Sequence, residues 1–130
     1  MVDQSARVYE GVLEMLSGVD NPTPMVRLNR VVPANLQAKI YAKLEWYNPF
    51  GSIKDRVAHN LLLDAGDKGL LSDGQKLVEP TSGNTGMGLA MMANASGYEL
   101  TTPLSNKIPP EKRVMLKVFG TNVEELEDDL

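Results

Sequence analysis

The chain has 130 residues, a formal net charge of −4, no cysteine and a 42% share of hydrophobic residues. One globular domain with a buried core fits in this length, and no apolar run is long enough for a membrane-spanning helix. The absence of cysteine excludes disulfides and thiolate metal sites, and the acidic balance disfavours a nucleic-acid partner. We therefore expect a cytoplasmic protein without a secretory signal at residues 1–4, acting on a small molecule.

The first third of the chain predicts one helix and two short strands. Apolar residues recur at helical spacing over residues 8–16, and Gly18 follows where a terminating glycine belongs. Prolines within 22–24 force extended structure into Met25–Leu28. Alternating polar and apolar residues over Lys39–Trp46 predict a second strand.

The next helix has a clear start signal and a clear apolar periodicity. Ser52 is a natural N-cap, and Asp55 follows three residues later as a carboxylate variant of the capping box. Residues at steps of four predict its buried face, with Ala58 and Leu62 beside them. The four residues are Ile53, Val57, Leu61 and Ala65.

The rest of the chain alternates strands with helices. Such alternation implies parallel pairing with right-handed crossovers and an α/β layered fold. Pro103 follows the middle strand, and a proline there would remove a hydrogen bond between neighbouring strands and weaken one edge of the sheet. The predicted elements are a strand at Lys76–Glu79, a helix from the Thr81–Gly86 loop to Gly97, a strand around Tyr98–Thr102, a helix from Pro110 to Gly120 and a last strand at Asn122–Leu126.

Lys54 is placed at about the second position of its helix. A lysine that forms a Schiff base must be neutral part of the time, and removal from water in a cleft favours the neutral amine most strongly. The residues alone leave another interpretation open, in which Lys54, Asp55 and Arg56 form an exposed charge cluster.

The loop Thr81–Gly86 predicts an anion site. Backbone N–H groups at a helix start lack internal partners and bind anions, and glycines let a ligand approach the backbone closely. Hydroxyl donors come from Thr81, Ser82 and Thr85. An ordinary Ser- or Thr-capped helix is the alternative. A nucleotide phosphate loop does not fit, because Gly69–Lys76 has Gln75 where that motif needs lysine.

Two segments resemble the signatures of the cysteine synthase and cystathionine β-synthase family of pyridoxal-phosphate (PLP) enzymes. They are the run Asn48-Pro49-x-x-Ser52-x-Lys54-Asp55-Arg56 and the loop Glu79–Gly86. Thr23–Leu28 and Glu111–Gly120 resemble an early strand and a later helix of the same family. The resemblance implies an α/β fold of three layers around a parallel sheet, PLP fold type II (tryptophan synthase β-like), which is incomplete in this chain.

The resemblance also implies roles for individual residues. Lys54 would be the catalytic Schiff-base lysine, and Asn84 would bind the cofactor's 3′-oxygen and the substrate. The substrate carboxylate would be held by Thr81, Ser82, Gly83, Asn84 and Thr85. The implied reaction is β-replacement on an activated serine such as O-acetylserine, with sulfide giving cysteine, in a homodimer without a metal ion.

The same resemblance indicates that part of the enzyme is missing. Family members bind the cofactor phosphate at a glycine-rich loop and the pyridine nitrogen at a Ser or Thr, both further along the chain, and neither is visible here. We therefore expect residues 1–130 to be the N-terminal portion of a two-domain enzyme whose C-terminal half is absent. Two alternatives remain open: cystathionine β-synthase-like activity, and a non-catalytic fragment that serves at most as a binding module. The donor (acetylserine, phosphoserine or serine) and the acceptor (sulfide or homocysteine) are also open.

Overall fold

The computed structural model describes residues 8–33 and 35–127. The first residues, where no secretory signal is expected, and the end of the acidic tail lie outside these ranges. Among the described residues, no helix is both long and apolar enough to cross a membrane. The elements are a 3₁₀ turn at Val12–Met15, β1 at Met25–Arg27, β2 at Tyr41–Lys43, a 3₁₀ turn at Glu45–Tyr47, α1 at Lys54–Asp67, β3 at Lys76–Val78, α2 at Asn84–Ala95, β4 at Glu99–Ser105, α3 at Pro110–Val118 and β5 at Asn122–Leu126.

The parallel sheet has the strand order β3-β4-β5, with α2 and α3 as the connections between neighbouring strands. This confirms the predicted α/β alternation. The first two strands differ, because β1 and β2 form a separate antiparallel pair. Parallel neighbours need a crossover, usually a helix, and the described part of the connection between β1 and β2 contains none. This pair therefore lies outside the α/β alternation from which parallel pairing was predicted.

Two predicted elements of the first third are shorter than expected. The helix predicted over residues 8–16 is a single 3₁₀ turn, because Gly11 is extended (φ −158°, ψ 165°) and begins the turn instead of continuing a helix. The strand predicted over Lys39–Trp46 is limited to β2, since the chain turns into the second 3₁₀ turn at Glu45. The local periodicity therefore overestimated the length of both elements.

Pro103 lies inside β4, the central strand, without removing a hydrogen bond between strands. The N–H of Glu79 donates to the carbonyl oxygen of Thr101 at 3.1 Å, so Thr101 faces β3. Pro103 is two residues further and faces the same side, but β3 has already ended at Val78. The missing N–H therefore faces a position where the sheet has no strand, and the expected weakness of this edge does not arise.

The core lies around α2 and the faces that meet it. Its buried members are Leu16, Ala58, Leu89, Ala90, Met92, Ala93 and Leu100. The face predicted to be buried on α1 is wrong for Ile53 and Leu61, which are each 50% exposed, and is confirmed for Ala58, which is 0% exposed. Ala58 faces α2 at Gly88, where two small residues let the helices approach closely. Of the larger apolar side chains of α1, Leu62 packs against the core, whereas Ile53, Leu61 and Leu63 are each 50% exposed.

Candidate cofactor and substrate site

The start of α1 is closed by its own side chains. The hydroxyl Oγ of Ser52 accepts a hydrogen bond from the backbone N–H of Lys54 at 3.1 Å. The carboxylate Oδ2 of Asp55 accepts one from the backbone N–H of Phe50 at 2.7 Å. The predicted N-cap Ser52 lies one residue before Ile53, which is the N-cap of α1 and has no side-chain cap, and the Asp55 carboxylate reaches back to Phe50, two residues before Ser52.

Asp55 is a buried carboxylate with one unsatisfied oxygen. Its side chain is 0% exposed, and its Oδ1 atom has no hydrogen-bond partner among the described residues. Burial raises the pKa of the Asp55 carboxyl above its ordinary value of 3.8, and the N–H groups of Phe50 and Ser52 oppose that rise. Burial therefore disfavours the ionised form of Asp55, whereas its hydrogen bond with the N–H of Phe50 opposes this effect.

Arg56 links α1 to two earlier segments of the chain. Its Nη2 atom donates to Ser17 Oγ at 2.8 Å and to Glu45 Oε2 at 2.9 Å. Asn48 completes the network, since its amide donates to Glu45 Oε2 at 2.8 Å and its Oδ1 accepts from Ser17 Oγ at 2.6 Å. The interpretation of Asp55 and Arg56 as an exposed charge cluster is therefore wrong. The network holds the Asn48 turn and the N-terminal segment against the first turn of α1.

Lys54 projects from this constrained turn with an exposed side chain. Among the residues that the structure describes, its amine has neither an ion pair nor a hydrogen bond, whereas Lys43, Lys68, Lys76 and Lys117 each lie within 4 Å of a carboxylate. The cleft expected around Lys54 is not formed by the described residues. In the described part of the chain, the primary amine of Lys54 is therefore exposed and has no bonding partner.

The crossing of α1 and α2 brings the backbone of Lys54 close to the loop Thr81–Gly86. A Cβ atom built on Gly88 would lie 3.3 Å from the carbonyl oxygen of Lys54 and 3.2 Å from the Cβ of Ala58. Gly88 is four residues after Asn84, which is about one helical turn, or ~5.4 Å along the axis. The backbone of Lys54 therefore lies about one turn from the start of α2.

The start of α2 is left open by its own sequence. Its N-cap is Gly83, and no side chain caps it, so the Ser- or Thr-capped alternative does not describe this helix. Within the described residues, the hydroxyl and amide groups of the loop donate and accept no side-chain hydrogen bond; they belong to Thr81, Ser82, Asn84 and Thr85. Gly86 permits the compact turn, since a Cβ there would lie 2.7 Å from Thr81 Cγ2 and 2.9 Å from Thr81 O.

A cavity of about 210 Å³ adjoins the open start of α2. Three of the predicted site residues line it, and four further residues close it from α2 and α3. The lining residues are Ser82, Gly83, Asn84, Met87, Glu111, Lys112 and Met115. Thr81, Thr85 and Lys54 do not line this cavity. The structure thus brings the central part of the loop together on one concave surface, while the backbone of Lys54 contacts α2 at Gly88, about one turn further along the helix.

Several residues around the site were not predicted. Ser17 and Glu45 bind Arg56. These residues are far apart in the sequence, and no local motif or periodicity predicts their contact. Asn48, by contrast, stands in the Asn-Pro run whose position before Lys54 is visible in the sequence. Glu111 and Lys112 reach the cavity only because α3 packs beside α2. In the described part of the chain, no cluster of three or more His, Cys, Asp or Glu side chains could hold a metal ion.

The sequence profile of the pyridoxal-phosphate dependent enzymes matches residues 16–130. This chain belongs to that family. Its fold is the α/β fold of PLP fold type II, represented here by part of the structure: the crystal structure of cysteine synthase from Entamoeba histolytica superposes with a TM-score of 0.81 at 33% identity, over 93% of this chain and 36% of that one.

Two curated relatives of this family member carry different activity names. The chain is 48% identical to the probable cysteine synthase of Bacillus subtilis over 101 residues, which is 78% of this chain and 32% of that protein. It is 39% identical to the cystathionine beta-synthase of Dictyostelium discoideum over 116 residues, which is 89% of this chain and 22% of that protein. The chain therefore spans a third or less of the length of these relatives.

The described residues fit the family's cofactor. Pyridoxal phosphate carries an aldehyde that reacts with a primary amine, and Lys54 presents such an amine without a competing partner. Beside it, the uncapped start of α2 offers backbone N–H groups and unpaired hydroxyls to an anion. The PLP dependence expected from the sequence is therefore shown for the family, and the chemistry of the donor set agrees with it.

Proposed function

We propose that this chain is the N-terminal portion, residues 1–130, of a two-domain PLP-dependent enzyme that catalyses β-replacement on an activated serine. O-acetylserine and sulfide, giving cysteine, are the proposed substrates. The observation that supports this most directly is the position of the Lys54 backbone about one turn along α2 from an uncapped helix start, in a residue whose amine has no partner among the described residues. The identity with proteins named cysteine synthase supports the choice of reaction.

Each site residue has a proposed task in this reaction. Lys54 Nζ would hold the cofactor and then take the proton from the substrate's α-carbon. The substrate carboxylate would bind to the N–H and hydroxyl groups of the loop, namely those of Thr81, Ser82, Gly83, Asn84 and Thr85. Asn84 would in addition contact the 3′-oxygen of the cofactor. When bound, the cofactor supplies the electron sink that stabilises the deprotonated substrate.

The described residues leave two tasks to the remainder of the enzyme. Lys54 is exposed to water, and proton abstraction by a neutral amine benefits from a dry site. The cofactor phosphate and ring nitrogen also need partners that we propose lie beyond residue 130. The assembled enzyme would be a cytoplasmic homodimer that binds small molecules rather than nucleic acid or membrane.

Cystathionine β-synthase-like activity is the second candidate. Relatives with that name are 39% and 44% identical to this chain, which is close to the values for proteins named cysteine synthase. The two activities differ in the sulfur acceptor, sulfide or homocysteine, and the loop described above would serve the amino-acid donor in both. The acceptor would therefore be selected by residues outside this loop.

The test is expression of the complete reading frame that encodes this chain, followed by product assays with acetylserine, phosphoserine or serine as donor and sulfide or homocysteine as acceptor. We expect cysteine from acetylserine and sulfide, and a pyridoxyl group at Lys54 after borohydride reduction. The 130-residue chain alone should show little turnover and should self-associate, because apolar side chains such as Val78, Val114 and Val118 are 57–69% exposed. Turnover by a soluble monomer of this chain would refute the proposed division into two domains.

A further inference from the structure

The segment around Lys54 is held both by residues next to it in sequence and by the distant helix α2. On the sequence-local side, the N–H of Gly51 donates to the carbonyl oxygen of Asn48 at 2.8 Å, and Gly51 has a φ of +75°. The chain turns back there, so that the Phe50 N–H meets the Asp55 carboxylate at 2.7 Å. This bond closes a ring of six residues, 50–55, that contains Lys54.

On the other side, α2 packs directly against the same turn. A Cβ on Gly88 would lie 3.3 Å from Lys54 O and 3.5 Å from the Cα of Asp55. The peptide of Lys54 is thus confined between its own capping loop and the neighbouring helix. Of the side chains in this confined segment, Asp55 is the one that is fully buried and charged.

We propose that Asp55 is a positioning residue for Lys54: by accepting the hydrogen bond from Phe50 N–H, its side chain sets the direction in which Lys54 leaves α1 and keeps the lysine beside the start of α2. This proposal rests on the proposed function of Lys54 as the cofactor lysine. Asp55 itself does not touch substrate or cofactor in this scheme. Its contribution is to the geometry of the neighbouring residue.

The role requires an acceptor atom more than it requires a charge. Oδ1 has no partner and burial disfavours ionisation, so the negative charge brings no visible benefit within the described residues. Asp55→Asn keeps an oxygen that can accept from Phe50 N–H in a side chain of nearly the same shape. Asp55→Ala removes the acceptor and leaves the partly buried Phe50 N–H without a partner. The two variants therefore separate positioning by the hydrogen bond from an effect of charge.

The experiment compares D55A, D55N and the matched control Asp67→Asn in the full-length protein. Asp67 is an exposed carboxylate at the end of the same helix. Two measurements are made: amide hydrogen exchange over residues 48–56 without cofactor, and kcat and KM for acetylserine and sulfide with cofactor. D55A should speed exchange of this segment by about 10–100-fold and lower kcat by a similar factor, because it removes the hydrogen bond that closes the turn and leaves its donor without a partner. KM for the amino acid should change less than about threefold, since the loop at α2 is untouched.

D55N should stay within about threefold of the wild type in both measurements, and D67N should match the wild type. A D55A protein with normal exchange and normal kcat would overturn the proposal, and so would a D55N protein as impaired as D55A. If D55A does not fold, Asp55→Ser replaces it, because its shorter side chain does not reach Phe50 yet remains polar. The proposed function is judged separately: absence of a pyridoxyl label at Lys54 in the wild type would refute that function, and the exchange data would still decide whether Asp55 orders the turn.

Discussion

The starts of α1 and α2 are built in opposite ways. At α1, Ser52 and Asp55 bind backbone N–H groups, and the network of Arg56 fastens the turn to two earlier segments. At α2, Gly83 is the N-cap, and no side chain occupies the N–H groups. The comparison supports the proposed division of tasks, in which the closed helix start would present an amine and the open helix start would receive an anion.

The charges at the two starts also differ. A cation in the first turn of a helix is disfavoured by the macrodipole by about 0.3–1 kcal/mol, and the acidic residue in the same turn of α1, Asp55, is buried where ionisation is disfavoured. The first turn of α2 contains no acidic residue, so its positive end is not neutralised from within. A bound carboxylate would therefore be the charge that offsets the positive end of α2.

The largest expected effect comes from removing the amine that the closed start presents. Lys54→Ala in the full-length protein should lower β-replacement activity on the order of 10³-fold or more, because a nucleophilic and basic group is lost. Borohydride labelling followed by peptide mapping should find no pyridoxyl group on this chain. Lys68→Ala, at the C-cap of the same helix, is the control and should behave as the wild type. A label at Lys39, Lys43 or Lys76 in the wild type would refute the assignment.

The second largest effect is expected from a side chain at Gly86, where the start of α2 packs closely on Thr81. Gly86→Ala should lower the free energy of unfolding by about 2–3 kcal/mol, because its Cβ would lie 2.9 Å from a backbone oxygen that moves only with the loop. Urea unfolding of the full-length protein measures the change. Gly66→Ala on α1 has open space around it and should instead stabilise by up to about 1 kcal/mol. Equal effects of the two substitutions would contradict the close packing of Gly86 on Thr81.

A smaller effect is expected from the side chains of the open start. Ser82→Ala and Asn84→Ala should each weaken amino-acid binding by roughly 1–3 kcal/mol, the value of a charge-assisted hydrogen bond, and should weaken PLP binding less. Spectroscopic titration with the amino acid and with PLP separates the two affinities. Asn60→Ala, an exposed position on α1, is the control. Unchanged amino-acid affinity in both variants would mean that the loop serves only to begin α2.

The smallest effect concerns the closed start and depends on pH. The raised pKa of Asp55 means that the folded protein binds this proton more tightly than the unfolded chain does. Its contribution to stability is therefore fully present below the ordinary pKa of 3.8 and is lost as pH rises through the folded value. Relative to D55N, the wild type should lose stability as pH rises from about 3.8. Urea titrations of both proteins across pH 3–7 test this, with Asp67→Asn as the reference, and a gain of stability over that range would reverse the assigned cause.

The sequence predicted the site elements better than it predicted their surroundings. The helix start near Ser52, the helix start within the loop Thr81–Gly86 and all three parallel strands were found close to where their local signals indicated. Capping residues, glycines and strand alternation act over three to six residues, so a single chain segment carries the full signal. The residues proposed to bind cofactor and substrate stay predictions, because their roles come from resemblance and await the experiments above.

Tertiary structure decided what those local signals leave open. The periodicity of α1 indicated a buried face through Ile53 and Leu61, yet the close contact of Ala58 with Gly88 left both of these side chains half exposed. Arg56 found its partners 11 and 39 residues earlier in the chain, and Asp55 became buried only because α2 packs over it. The sequence by itself determined which groups stand at each helix start, because caps and glycines are local chemistry. The distance between the two starts, and the environment of each charge, depend on how the helices cross, and that is determined by the packing of residues far apart in the chain.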